Sequence, residues 1–107
     1  MTSDQIILET VEFVKHTLKD AEGGHDWWHV YRVWKTACHI ADFEQVDKFT
    51  VELGALLHDI ADSKFHNGNE EIGPEKARTF LQTLGVEEKV INHVVNIIAN
   101  ISFKGGK

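Results

Sequence analysis

The chain holds few of the residues that stiffen or cross-link a fold. A single cysteine, Cys38, stands among 107 residues, so no intrachain disulfide can form and a disulfide scaffold is excluded. There is one proline, Pro74, which suits long helices and few rigid turns. No stretch alternates apolar and polar residues in the manner of a half-buried strand. No apolar run approaches the ~18 residues of a membrane span. The opening MTSDQIILETVEFV has no basic stretch followed by an apolar block, so it does not read as a signal peptide. A cytoplasmic location is expected. Positive charge is also scarce, with 11 Lys and Arg against 17 Asp and Glu and a net charge of −6. An acidic surface argues against binding duplex nucleic acid or anionic membrane. It does not exclude a small phosphorylated substrate, because a bound divalent cation reverses the potential inside one pocket.

Hydrophobic residues make up 42% and charged residues 26%, the balance of a globular protein rather than a disordered one. The length predicts one domain, 1–107, whose small core must be efficient or shared with a partner. Helical spacing recurs along it, and five helices are predicted. The first spans about Ser3 to Ala21, capped by Ser3 or Asp4 and stopped by Gly23-Gly24, with Ile7, Val11, Val14 and Leu18 in one stripe. The second spans about Asp26 to Glu44, with Val30, Val33, Trp34, Ala37, Ile40 and Ala41 inward. The third is capped by Asp47 and reads to Ile60, with Leu53, Leu56, Leu57 and Ile60 inward. Asp62 to Gly73 reads as a loop. The fourth opens at Gly73-Pro74, turns Ala77, Phe80, Leu81 and Leu84 inward, and ends at Gly85. The fifth, Glu87 to Ile101, is apolar over much of its girth, so it is either central to the bundle or covered by something further along. The closing SFKGGK reads as a loop leading to another element, and the chain therefore reads as truncated.

Seven histidines are the first compositional sign of chemistry. His16 and His39 read as surface residues. The run Leu56-Leu57-His58-Asp59-Ile60-Ala61-Asp62 is different. An apolar helix presents three metal-competent groups at its end, and burying such groups unpartnered is costly. A divalent cation flanked by His58 and Asp59 removes that cost. Asp62 shares their side of the helix and can hold a water. The His-Asp pair alone is better explained by capping or ion pairing.

A second run, His25-Asp26-Trp27-Trp28-His29-Val30-Tyr31-Arg32, puts His25, Asp26, His29 and Arg32 at spacings of three and four, on adjacent helical turns. A histidine ligand one turn from an arginine suits a phosphate: the ion polarises one oxygen and the guanidinium forks another. Asp26 also suits a helix start. Trp27 and Trp28 read as packing residues, one of which could wall a nucleobase pocket.

Taken together, His29-Val-Tyr-Arg-Val and Leu56-Leu57-His58-Asp59 resemble the HD-domain phosphohydrolases. The match extends through His25-Asp26-Trp27, the string from Glu52 to Phe65 and the tail Asn100-Ile-Ser-Phe-Lys-Gly-Gly, similar to a bacterial subfamily of predicted HD-superfamily hydrolases. The resemblance covers nearly the whole chain. It implies an all-α HD-type bundle in which His29, His58 and Asp59 hold one divalent ion. It also implies metal-dependent hydrolysis of a phosphate ester or anhydride, with a nucleotide as substrate. The family's last aspartate, on a further helix, has no counterpart here. Water, Asp62 or a second subunit could take its place, and a homodimer is a natural expectation. His93 could approach the site but reads as a surface histidine. Within this scheme Asp62 or Asp26 orients the water or acts as base, and Arg32 and Lys64 stabilise phosphoryl charge. Phe65 to Ile72 can form a lid. Histidine and carboxylate ligands suit manganese, iron, cobalt, nickel, zinc and, less well, magnesium. The competing reading is a catalytically impaired scaffold that binds metal or nucleotide without turnover. Cys38, among apolar neighbours, reads as inert.

Overall fold

Thr2, not Ser3 or Asp4, starts the first helix, α1 (Ser3–Thr17). Its hydroxyl accepts from the Gln5 amide at 3.2 Å, and its own amide donates to Gln5 Oε1 at 2.8 Å. This reciprocal box satisfies two donors that the helix cannot. Ile7, Val11, Val14 and Leu18 are all buried as predicted. Buried Thr10 is accommodated because its hydroxyl donates to the Ile6 carbonyl at 2.7 Å.

The computed structural model describes residues 1–19, 27–43, 47–58, 60 and 72–105. After α1 come α2 (Trp27–Phe43), α3 (Lys48–Leu57), α4 (Ile72–Thr83) and α5 (Glu88–Gly105). Among the described residues there is no strand, so the predicted all-α class holds. No described helix is long and apolar enough to cross a membrane. The predicted stops at Gly23-Gly24 and the predicted loop from Asp62 lie outside the described residues.

On α2, Val30 and Ala41 are buried and Val33, Trp34 and Ala37 are half-buried. Ile40, predicted inward, is 55% exposed. Ten residues beyond Val30 is not a whole number of turns, so Ile40 has rotated roughly 80° off the inward stripe.

Helix α3 is the hub, packed against α1, α2 and α5. Leu53, Leu56 and Leu57 are fully buried, and Gly54 and Ala55 are buried beside them. Complete burial of each leucine contributes roughly 1.5–3 kcal/mol. Gly54 permits the close approach of α5, since a Cβ there would lie 2.8 Å from Ile97 Cγ2. Asp47 occupies the cap position, but its carboxylate accepts from the Thr50 hydroxyl at 2.6 Å rather than from the helix backbone. The helix ends at Leu57 instead of continuing to Ile60, and His58 is its C-terminal cap residue.

Helix α4 starts one residue before the predicted Gly73, which leaves Pro74 in the first turn, where a missing N–H breaks no intrahelical bond. Its end is as predicted. Gly85 has φ +75, the Val86 amide reaches the Leu81 carbonyl and the Gly85 amide reaches that of Gln82. This is the paired closure that favours glycine. Arg78 then ties α4 to α5, donating to Glu88 at 2.6 Å and to Asn92 at 2.8 Å. The breadth of apolar residues on α5 follows from its position between α3 and α4, with Ile91, Val94 and Ile98 buried. The predicted loop after Ile101 is a further turn of helix to Gly105.

Candidate metal centre

The first turn of α2 meets the last turn of α3, two helices that pack side by side. Each brings one histidine. His29 lies in the first turn of α2, and His58 caps α3. Both are half-buried, and their ring centres lie 5.9 Å apart at an interplanar angle of 57°. Residues 29 positions apart in the chain are thus brought together by helix packing alone.

The Nδ1 of His58 lies 2.6 Å from the Ala55 carbonyl oxygen. Two lone pairs could not approach so closely, so Nδ1 carries the proton and donates it to the carbonyl. The Nε2 lone pair is left for another partner. A backbone carbonyl bonded to the far nitrogen of an imidazole is the usual device that orients a metal-binding histidine. Ring nitrogens sit about 2.1 Å from a bound transition ion, so two imidazoles sharing one ion hold their centres roughly 4.5–6.5 Å apart. The separation of His29 and His58 falls inside that window, and the pair fits a shared divalent cation. Among the described residues no group of three or more His, Cys, Asp or Glu side chains converges as a metal site. The third predicted ligand, Asp59, lies outside the described residues, as do Asp26, Asp62, Lys64 and most of the predicted lid.

Arg32 is exposed on α2, one turn beyond His29. His93 is exposed on α5. A cleft of about 460 Å³, lined by Phe13, Phe80, Glu75, Lys76, Thr79 and Thr83, includes neither histidine. Its floor is the face-to-face stack of Phe13 on Phe80, 4.0 Å between ring centres.

One polar contact was not foreseen. Glu52, half-buried on α3, accepts from Trp34 Nε1 at 2.9 Å and from Cys38 Sγ at 3.3 Å. It clamps α2 to α3 behind the histidines. The sequence offers no more than a carboxylate between Val51 and Leu53, since its partners on another helix leave no trace in the spacing. Burial, then the bond to Glu52 and its charge, push the Cys38 thiol up. Cys38 is accordingly a poor nucleophile, in keeping with its expected inertness.

The two adjacent tryptophans differ. Trp27 packs partly against the core, whereas Trp28, predicted to pack, is 61% exposed. Trp28 touches Tyr31 edge-on at 5.9 Å, and Tyr31 in turn meets Trp34 at 6.1 Å. Lys15 lies over Trp27, and Lys35 over Tyr31 and Trp34.

Comparison with known proteins identifies the family. Residues 27–105 match the HD domain family. An HD-superfamily hydrolase of Bacillus thuringiensis, solved by crystallography, superposes with a TM-score of 0.81 at 43% identity over 97% of this chain. The uncharacterised protein YpgQ of Bacillus subtilis is 35% identical over 92 residues, 86% of this chain. The chain spans about half the length of these relatives, 54% of the first and 44% of the second.

Proposed function

We propose, from the premise that the chain belongs to the HD domain family, that it carries the metal-binding half of a metal-dependent phosphohydrolase. The observation that carries this reading is the His29–His58 pair, with the Ala55 carbonyl fixing the His58 ring. His29, His58 and Asp59 would hold one divalent ion. Such an ion lowers the pKa of water and polarises a phosphoryl oxygen.

The chain's own residues supply the rest. Ala55 keeps the His58 proton on Nδ1 and so presents Nε2. Arg32 forks a phosphate oxygen beside His29. Lys64 neutralises charge on the transferred group. Asp62 or Asp26 orients the attacking water and takes its proton. The substrate is a phosphate ester or anhydride, whose anionic oxygens Arg32 and Lys64 are suited to hold, and the family resemblance points to a nucleotide.

One alternative is an HD scaffold that binds metal or nucleotide without turnover. Elemental mass spectrometry on protein purified without chelators separates the cases when paired with hydrolysis assays. Near one transition metal per chain, lost in His58→Ala, together with metal-dependent phosphate release, supports the hydrolase. Metal without release under any divalent ion supports the scaffold. No metal in either protein after incubation with excess manganese or nickel removes the hydrolase and the metal-binding scaffold alike. Unchanged turnover and substrate affinity in Arg32→Ala would take Arg32 out of the phosphate site.

A further inference from the structure

A tryptophan that is mostly solvent-exposed is unusual, because the indole is the largest apolar side chain and most of its value comes from burial. Trp28 is exposed although it sits at the edge of an aromatic cluster on the same helix, which it meets through Tyr31. It is not loosely held. Its ring meets the Tyr31 ring edge-on at 76°. Tyr31 is itself braced by Trp27, Trp34 and Lys35. An indole supported along one edge can offer a face to a flat partner with little loss of rotamer freedom.

Its place on α2 suggests which partner. Trp28 precedes His29 by one residue and Arg32 by four. Around the helix, indole, guanidinium and imidazole therefore lie side by side on an arc of roughly 100°. Helical neighbours of this kind stand about 5–6 Å apart at Cβ, a spacing comparable to that between the base and the phosphate of a nucleotide. We propose that Trp28 is a specificity-determining residue that stacks on a flat heteroaromatic base of the substrate, while Arg32 takes the phosphate between it and His29. This rests on the phosphohydrolase reading above and adds the means by which a base-bearing substrate is preferred over a base-free one.

The test compares paired substrates in the presence of manganese: ATP with inorganic triphosphate, and AMP with ribose 5-phosphate. The expected result is a KM roughly tenfold lower for the base-bearing member of the hydrolysed pair, as one stacked base warrants. Trp28→Ala should bring that ratio close to one, and Trp28→Phe should retain most of it. Leu8→Ala, an exposed apolar side chain on α1, should leave the ratio as it is. Equal KM values within both pairs in the parent, with hydrolysis intact, would overturn the stacking role and spare the phosphohydrolase reading. Absence of any hydrolysis would instead count against that reading.

A second measurement needs neither metal nor turnover. AMP should quench tryptophan fluorescence more in the parent than in Trp28→Phe, and ribose 5-phosphate should quench neither. Equal quenching by AMP in the two proteins overturns the proposal. So does an unchanged KM ratio in Trp28→Ala accompanied by loss of self-association in sedimentation, which would assign the indole to a subunit interface.

Discussion

Substituting Gly54 by alanine should destabilise this protein, although alanine is the better helix former. On propensity alone the change is worth about 1 kcal/mol in favour of the helix. The new Cβ would lie 2.8 Å from Ile97 Cγ2 and 3.4 Å from Ile97 Cβ. That methyl belongs to a β-branched side chain with one strongly preferred χ1 in a helix. It cannot swing aside, so α3 and α5 must separate. Overpacking of this kind costs about 1–3 kcal/mol. The net expectation is a loss of about 0–2 kcal/mol, and the sign becomes clearer in a second background. Ile97→Ala removes the obstructing methyl at its own cost. In that background Gly54→Ala should stabilise, by up to about 1 kcal/mol. The assay is urea unfolding followed by far-ultraviolet circular dichroism on the parent, both single variants and the double variant. A coupling of about 1–3 kcal/mol between the two positions is expected. A Gly54→Ala protein more stable than the parent, with effects that simply add, would refute the close approach of α3 and α5. Because α3 also carries His58, the same displacement should weaken metal binding in Gly54→Ala and restore it in the double variant.

Two further outcomes follow from local geometry. Thr2→Ala removes one half of the capping box on α1 and should cost about 0.5–2 kcal/mol in the same unfolding assay, with Thr2→Ser close to the parent. Cys38 should react with a disulfide reagent more slowly than a free thiol at mildly alkaline pH, because burial and then Glu52 raise its pKa and reduce the thiolate. Glu52→Gln should increase that rate only in part, since burial, the larger cause, remains. As a thiol whose folded pKa lies above its unfolded one, Cys38 contributes stability below the ordinary thiol pKa. That contribution is lost as pH rises through the folded value.

The helices were legible because their apolar residues keep to the helical repeat. Val11 and Val14 on α1 and Ala77 and Leu81 on α4 lie on the inward stripe that this repeat defines, and they are buried. Gly85 was legible as a stop because the left-handed conformation that it adopts favours glycine. Where the reading slipped, tertiary or competing local bonds decided. Thr2 outcompetes Ser3 as cap because Gln5 stands at the right distance to return the bond. Ile40 and Trp28 look like packing residues in a list of letters, yet neither lies on the stripe that Val30 and Ala41 define. Glu52 was invisible as a clamp because its two donors lie on another helix, and sequence spacing cannot report a contact between helices. The pairing of His29 with His58 came from family resemblance rather than from periodicity, for the same reason.

The early end of α3 bears directly on the metal centre. Had the helix run on to Ile60, the Ala55 carbonyl would be engaged by the amide four residues on, as in any helix interior. Ending at Leu57 leaves the last carbonyls without such partners, and the His58 ring turns back to satisfy one of them. The same terminus carries the negative end of the helix dipole, which favours a cation nearby. Helix termination thus orients the imidazole and makes its surroundings suit positive charge. The consequence is measurable in the metal-free protein. Long-range proton–nitrogen correlation spectra should show His58 protonated on Nδ1, the opposite of the tautomer that free histidine side chains favour in water. Zinc titration should then shift Nε2 of His58 while Nδ1 keeps its proton. A His58 with its proton on Nε2 before metal is added would mean that the Ala55 bond does not form in solution. The preorganisation of the metal centre would be lost with it.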